Sequence, residues 1–223
     1  MMANATDPPG VRWHVADIAD AVEAGLARRI DLDREAQAVH GIDVLDEVSL
    51  HPMLADAMET AGFGVHREVR YPAARPRRSR AEGRRCDLVL TPDGRPLQDP
   101  AAAATLFDDP EAVPLEEAFW LEVKVVAQFS ERGANPSWSN ELLGTVRKDI
   151  AKLRGDARIF HAGLLIVLWV ERAEVAAHDF EVWQRHCLDQ GLPISAPTER
   201  QFSLQDRVGN RHGVARIYPV HHA

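Results

Sequence analysis

The segment Ala118-Phe119-Trp120-Leu121-Glu122-Val123-Lys124-Val125-Val126 sets two opposite charges inside an apolar run. Successive side chains of an extended chain point to opposite faces, so Glu122 and Lys124 share one face and Leu121, Val123 and Val125 the other. Taking a carboxylate and an ammonium out of water is costly unless partners surround them. A second run, Arg85-Cys86-Asp87-Leu88-Val89-Leu90, carries another carboxylate in the same kind of setting. A chain built this way must gather charge at one point of a sheet.

With 223 residues there is enough chain for one substantial core and too little to favour two full-sized domains. The composition, 45% hydrophobic and 27% charged, is that of a globular protein and not of a disordered one. The longest apolar stretch, 162–170, falls well short of a membrane-crossing helix and reads as a buried strand. The first ten residues lack a basic and an apolar leader region, so a cytoplasmic location with no membrane association is expected. Cys86 and Cys187 stand far apart and outside any Cys-x-x-Cys pair, which leaves zinc without a ligand set.

The net charge of -8 argues against nucleic-acid binding until its distribution is considered. Residues 65–85 hold eight arginines against two glutamates, whereas 97–118 hold six acidic residues and no basic one. Within the basic segment, Arg75, Arg77, Arg78 and Arg80 stand closest together. They are the DNA-contact candidates, because guanidinium groups bind phosphate bidentately. A solvated loop is the alternative.

Helical spacing of Val15, Ile18, Ala19, Val22 and Leu26 predicts a helix over 14–29, with a second short helix over 31–40. Ser49 is read as the N-cap of the next helix, with Pro52 in its first turn, Leu54, Met58 and Ala61 on one face, and Gly62 and Gly64 at its end. Strands are expected over 65–71 and 85–90, the second broken by Pro92-Asp93-Gly94. The Glu122 strand, a helix over 140–153, a buried strand over 163–170 and a helix over 173–190 follow. The segments 201–206 and 214–219 complete the chain as a C-terminal hairpin. Residues 1–44 are expected to be an N-terminal helical extension to a domain over 45–223.

Metal-assisted phosphodiester cleavage needs oxygen ligands, a water of lowered pKa and a cation near the reacting oxygens. Asp87, Glu122 and the backbone carbonyl of Val123 are candidate ligands, and Lys124 would orient or deprotonate the water. Oxygen donors favour Mg²⁺ or Mn²⁺.

Asp87 followed by Glu122-Val123-Lys124, in an α-β-β-β-α-β order, resembles the PD-(D/E)xK nuclease superfamily of restriction-endonuclease-like folds. The resemblance covers roughly residues 47–170, with Cys86 where the superfamily motif carries proline. It implies an α/β fold whose central mixed β-sheet is flanked by helices, and magnesium-dependent cleavage of DNA with Asp87, Glu122 and Lys124 as catalytic residues. Glu47 matches a further acidic position on the helix before the sheet. It would bind a metal or a metal-bound water, or it is only a helix-start carboxylate favoured by the helix dipole. Lys148 and Lys152, on the helix after the Glu122 strand, match positions that approach the scissile phosphate in the family, and a solvated helix face is the other reading. Gln128 and Trp138 are lesser candidates for contact with phosphate or base. A homodimer or a partner protein is expected to supply specificity. The competing expectation is a nuclease-fold module without activity that binds DNA or assembles with partners.

Overall fold

The computed structural model of the chain describes residues 11–72, 85–99 and 109–221. Two helices lead, α1 (Val15–Glu35) and α2 (Glu47–Thr60), followed by β1 (Gly64–Arg70), β2 (Arg85–Thr91) and β3 (Phe119–Ala127). A small hairpin of β4 (Phe129–Ser130) and β5 (Gly133–Ala134) comes next. The one-turn helix α3 (Trp138–Asn140), a π-helical segment over Glu141–Thr145 and α4 (Val146–Arg154) then carry the chain to β6 (His161–Val170). Helix α5 (Ala173–Asp189) and strands β7 (Thr198–Ser203) and β8 (His212–Val220) end it.

Six strands form one sheet in the order β1-β2-β3-β6-β8-β7. The β3–β6 pair is parallel and the others are antiparallel, so the sheet is mixed. Parallel neighbours need a crossover connection, and the helical stretch from α3 to α4 provides it. Strand β6 is buried along nearly its whole length, as its unbroken apolar run requires of a central strand covered on both faces.

Each face of the sheet has its own helical layer. Leu26, Leu50, Leu54 and Met58 of α1 and α2 pack with Leu121, Val123 and Leu165 on one face. Ile150 and Leu153 of α4 and Phe180 and Trp183 of α5 pack with Trp120, Leu164 and Ile166 on the other. The alternation along β3 thus serves two cores, and Glu122 lies on the face that carries Trp120. Trp120 and Trp169 are fully buried.

Three helix boundaries differ from the sequence expectation. The helix beginning near residue 14 does not stop at 29 but continues to Glu35, with ion pairs Arg29–Asp33 at 2.7 Å and Arg34–Asp31 at 2.6 Å along its last turns. Helix α2 starts before Ser49: Asp46 is the N-cap, and its Oδ1 accepts the Ser49 N–H at 2.8 Å. The expected single helix over 140–153 is split by the π-helical segment. Gly25 allows the close approach of α1 and α2, since a Cβ there would stand 2.5 Å from the Ala57 Cβ. No helix among the described residues is long and apolar enough to cross a membrane.

Candidate active site

Asp87 sits where the sheet comes apart. Its strand pairs with β1 at Arg67↔Leu88 and again at Val69↔Cys86, with Glu68↔Asp87 skipped between them. On the other side, pairing with β3 ends at Leu88↔Leu121, one position short of Asp87 opposite Glu122. Glu68 has φ 54°, a left-handed conformation that a non-glycine residue adopts at a cost.

The Asp87 side chain occupies the opening. Its Oδ2 accepts the Val123 N–H at 2.8 Å, in place of the backbone acceptor that a continued ladder would supply. In antiparallel pairing the N–H and C=O of one residue face the same neighbour, so the Val123 carbonyl also faces the β2 side, beyond the last paired position. The Asp87 carboxylate and the Val123 carbonyl are thereby offered at one place.

Glu122 is 2% exposed. Tyr71 donates to its Oε1 at 2.5 Å, and Lys152 Nζ lies 3.5 Å from its Oε2. Burial pushes the Glu122 carboxyl up to about 8 and the Asp87 charge adds to this, against the opposing pull of the Tyr71 hydrogen bond and Lys152. Burial drives the Tyr71 phenol far above its ordinary range, so Tyr71 acts as a donor.

Lys124 Nζ lies 2.6 Å from Glu47 Oε2. Burial opposes its charge, but the hydrogen bond to Glu47 and the nearby Asp149 and Asp87 outweigh that and raise its pKa. Lys124 in this pairing is an ammonium. Lys152 is held in the same way: burial disfavours its charge, and the bond to Asp149 at 2.6 Å with the nearby Glu122 restores it.

The structure therefore brings Asp87, Glu122, Val123, Lys124, Glu47 and Lys152 into one neighbourhood. Lys148 is exposed on α4 and makes no part of it. Gln128 has a structural use: its Oε1 accepts the Glu171 N–H at 2.9 Å and its own N–H donates to the Trp169 carbonyl at 2.8 Å. Trp138 donates from its indole to Asp179 at 2.7 Å, which ties the start of the crossover to α5. Arg75, Arg77, Arg78 and Arg80, together with Asp108 of the acidic segment, lie outside the described residues. Cys86, beside Asp87, is a buried free thiol whose pKa burial raises well above the ordinary value, so it is no nucleophile.

Two residues of this neighbourhood went unread in the sequence. Tyr71 follows β1 and precedes a proline, a position that reads as a strand end rather than as a partner for a carboxylate. His51 stands four residues after Glu47 on α2, hence on the same helix face. A ring nitrogen of His51 and carboxylate oxygens of Glu47 and Asp87 lie within 4.8 Å of one another. Taking Ser49 as the cap leaves Glu47 at the helix entry with no register that pairs it with His51; the better signal is Asp46, three residues ahead of Ser49. Comparison with protein-family models, with curated proteins and with solved structures found no match.

Proposed function

We propose that the chain is a divalent-metal-dependent deoxyribonuclease with a restriction-endonuclease-like core, hydrolysing DNA phosphodiester bonds at Asp87, Glu122 and Lys124. The observation that carries this reading is the parting of β2 and β3 at Asp87, which sets its carboxylate against the Val123 N–H and next to a nearly inaccessible Glu122. Two adjacent carboxylates in a core raise each other's cost, and a hard cation offsets it.

The donors fit Mg²⁺ or Mn²⁺: Asp87, Glu122 and the Val123 carbonyl supply oxygens, with Glu47 at the edge of the set. When bound, such an ion lowers the pKa of water and neutralises charge on a phosphoryl group. Tyr71 and Lys152 fix the Glu122 carboxylate from both oxygens. Lys124 carries a proton, so it orients water or a phosphoryl oxygen by donating to it and does not act as the base while Glu47 holds it. DNA is the proposed partner, with Arg75, Arg77, Arg78, Arg80 and the exposed Lys148 as phosphate contacts.

The test is digestion of supercoiled, linear and single-stranded DNA by the purified chain with Mg²⁺, Mn²⁺ or EDTA. Metal-dependent cleavage that is lost in Lys124→Ala supports the reading. DNA binding without cleavage under every condition, unchanged by Lys124→Ala and Glu122→Gln, supports a binding module that keeps the fold without the chemistry.

A further inference from the structure

We infer that Glu47, His51 and Asp87 form a cation position of their own, built for a divalent first-row transition ion that accepts an imidazole ligand, such as Mn²⁺, in preference to Mg²⁺. The inference deepens the nuclease reading, which assigns Mg²⁺ or Mn²⁺ to oxygen donors alone and gives His51 no part.

The geometry comes from three turns of chain. Asp46 caps α2 so that Glu47 opens the helix and His51 follows one turn later on the same face. Asp87 reaches the same corner because β2 leaves its ladders there. The three donor atoms lie within 4.8 Å of one another. Ligands on one ion with bonds of about 2.1 Å stand no more than about 4.2 Å apart, so small side-chain rotations close the set.

The second observation is independent of the cluster. His51 is 3% exposed, and its Nε2 is buried without a hydrogen-bond partner among the described residues. Buried polar atoms are nearly always paired, and leaving one unpaired costs about 1–3 kcal/mol. An imidazole held out of water beside two carboxylates is a donor set that a transition ion would complete. Apolar packing would be met as well by leucine, which has no polar atom to leave unpaired.

The donor chemistry sets the preference. Mg²⁺ binds oxygen and keeps its waters, whereas first-row transition ions accept imidazole nitrogen readily. Asp87 has two oxygens and belongs to both sets: Oδ2 faces Val123 and the Glu122 side, and the same carboxylate contributes to the corner with His51. Glu47 also holds Lys124, so a cation at this corner competes with the Lys124 ammonium for the same carboxylate.

The test is Mn²⁺ binding by the full, chelator-stripped chain, followed by loss of the free-ion paramagnetic resonance signal and by calorimetry, with Mg²⁺ as competitor. The variants are His51→Leu, which keeps the volume and removes the nitrogens, and Glu122→Gln, which alters the oxygen-only set; circular dichroism and melting temperature check that both fold. The expected result is a Mn²⁺ site that excess Mg²⁺ displaces poorly and that survives Glu122→Gln. In His51→Leu its affinity should fall by at least the roughly 10- to 100-fold that losing a partner of a metal ligand costs. Equal Mn²⁺ affinity and stoichiometry in wild type and a folded His51→Leu variant overturns the inference, even if the protein cuts DNA with Mg²⁺. A His51-dependent Mn²⁺ site in a protein that cuts no DNA leaves the inference standing and removes the nuclease reading.

Discussion

Tyr71 donates its phenolic hydrogen to Glu122 Oε1 at 2.5 Å, and both side chains are shut away from water. The bond joins the end of β1 to the middle of β3 across the opening left by β2. Tyr71→Phe removes the donor and leaves a buried carboxyl oxygen unmatched, a loss of about 1–3 kcal/mol. Urea denaturation of the metal-free protein at neutral pH measures it. A change within about 0.5 kcal/mol would show that the bond does not hold Glu122.

Glu122 also predicts how stability varies with pH. Its carboxyl is pushed up to about 8 in the fold, against an ordinary 4.5 in the unfolded chain. Between these values the native state retains a proton that the unfolded chain has released, so stability falls as pH rises through the window. Melting in EDTA should lose temperature steadily from pH 5 to pH 8, and Glu122→Gln should flatten that slope. Parallel curves for the two proteins would remove Glu122 as the cause.

The two α4 lysines should behave differently. Lys152 reaches Asp149 at 2.6 Å and Glu122 at 3.5 Å, whereas Lys148 is exposed. Lys152→Met strands the buried Asp149 carboxylate and removes a neighbour of Glu122, and should cost about 1–3 kcal/mol, while Lys148→Ala stays within about 0.5 kcal/mol. Chemical denaturation of both variants decides this. Equal effects would place Lys152 on a solvated face after all.

Glu68 sits opposite Asp87 with φ 54° and an exposed side chain. Glycine takes that conformation without the Cβ penalty, so Glu68→Gly should stabilise the fold by about 0.5–1 kcal/mol, the left-handed strain outweighing the added chain entropy. A higher denaturation midpoint with unchanged slope is the expected reading. A destabilised variant would mean that the Glu68 side chain contributes more than its backbone strain costs.

The centre of the site is legible in the sequence because period-2 alternation makes a charged residue in a core strand conspicuous. Asp87, Glu122 and Lys124 are visible on that ground, and the central mixed sheet, six-stranded in the fold, is what the family resemblance implies. Helix starts are harder to read, because Asp46 and Ser49 are both good caps and choosing the later one hides Glu47 and His51 as a pair. Tyr71 and Lys152 are legible as residues but not as partners of Glu122, since their bonds cross 51 and 30 positions of chain. No local pattern encodes such distances; they depend on how β1 and α4 come to rest against β3.

Single-turnover cleavage of a DNA duplex by wild type and Asp87→Asn, each with Mn²⁺ and at matched melting temperature, tests the account at its centre. Asparagine keeps an oxygen to accept the Val123 N–H and removes the charge, so the fold should persist while cleavage falls by about three orders of magnitude or more, the loss expected when a metal-centred site is disabled. Equal cleavage by the two proteins, or none by either with any divalent ion, would contradict it.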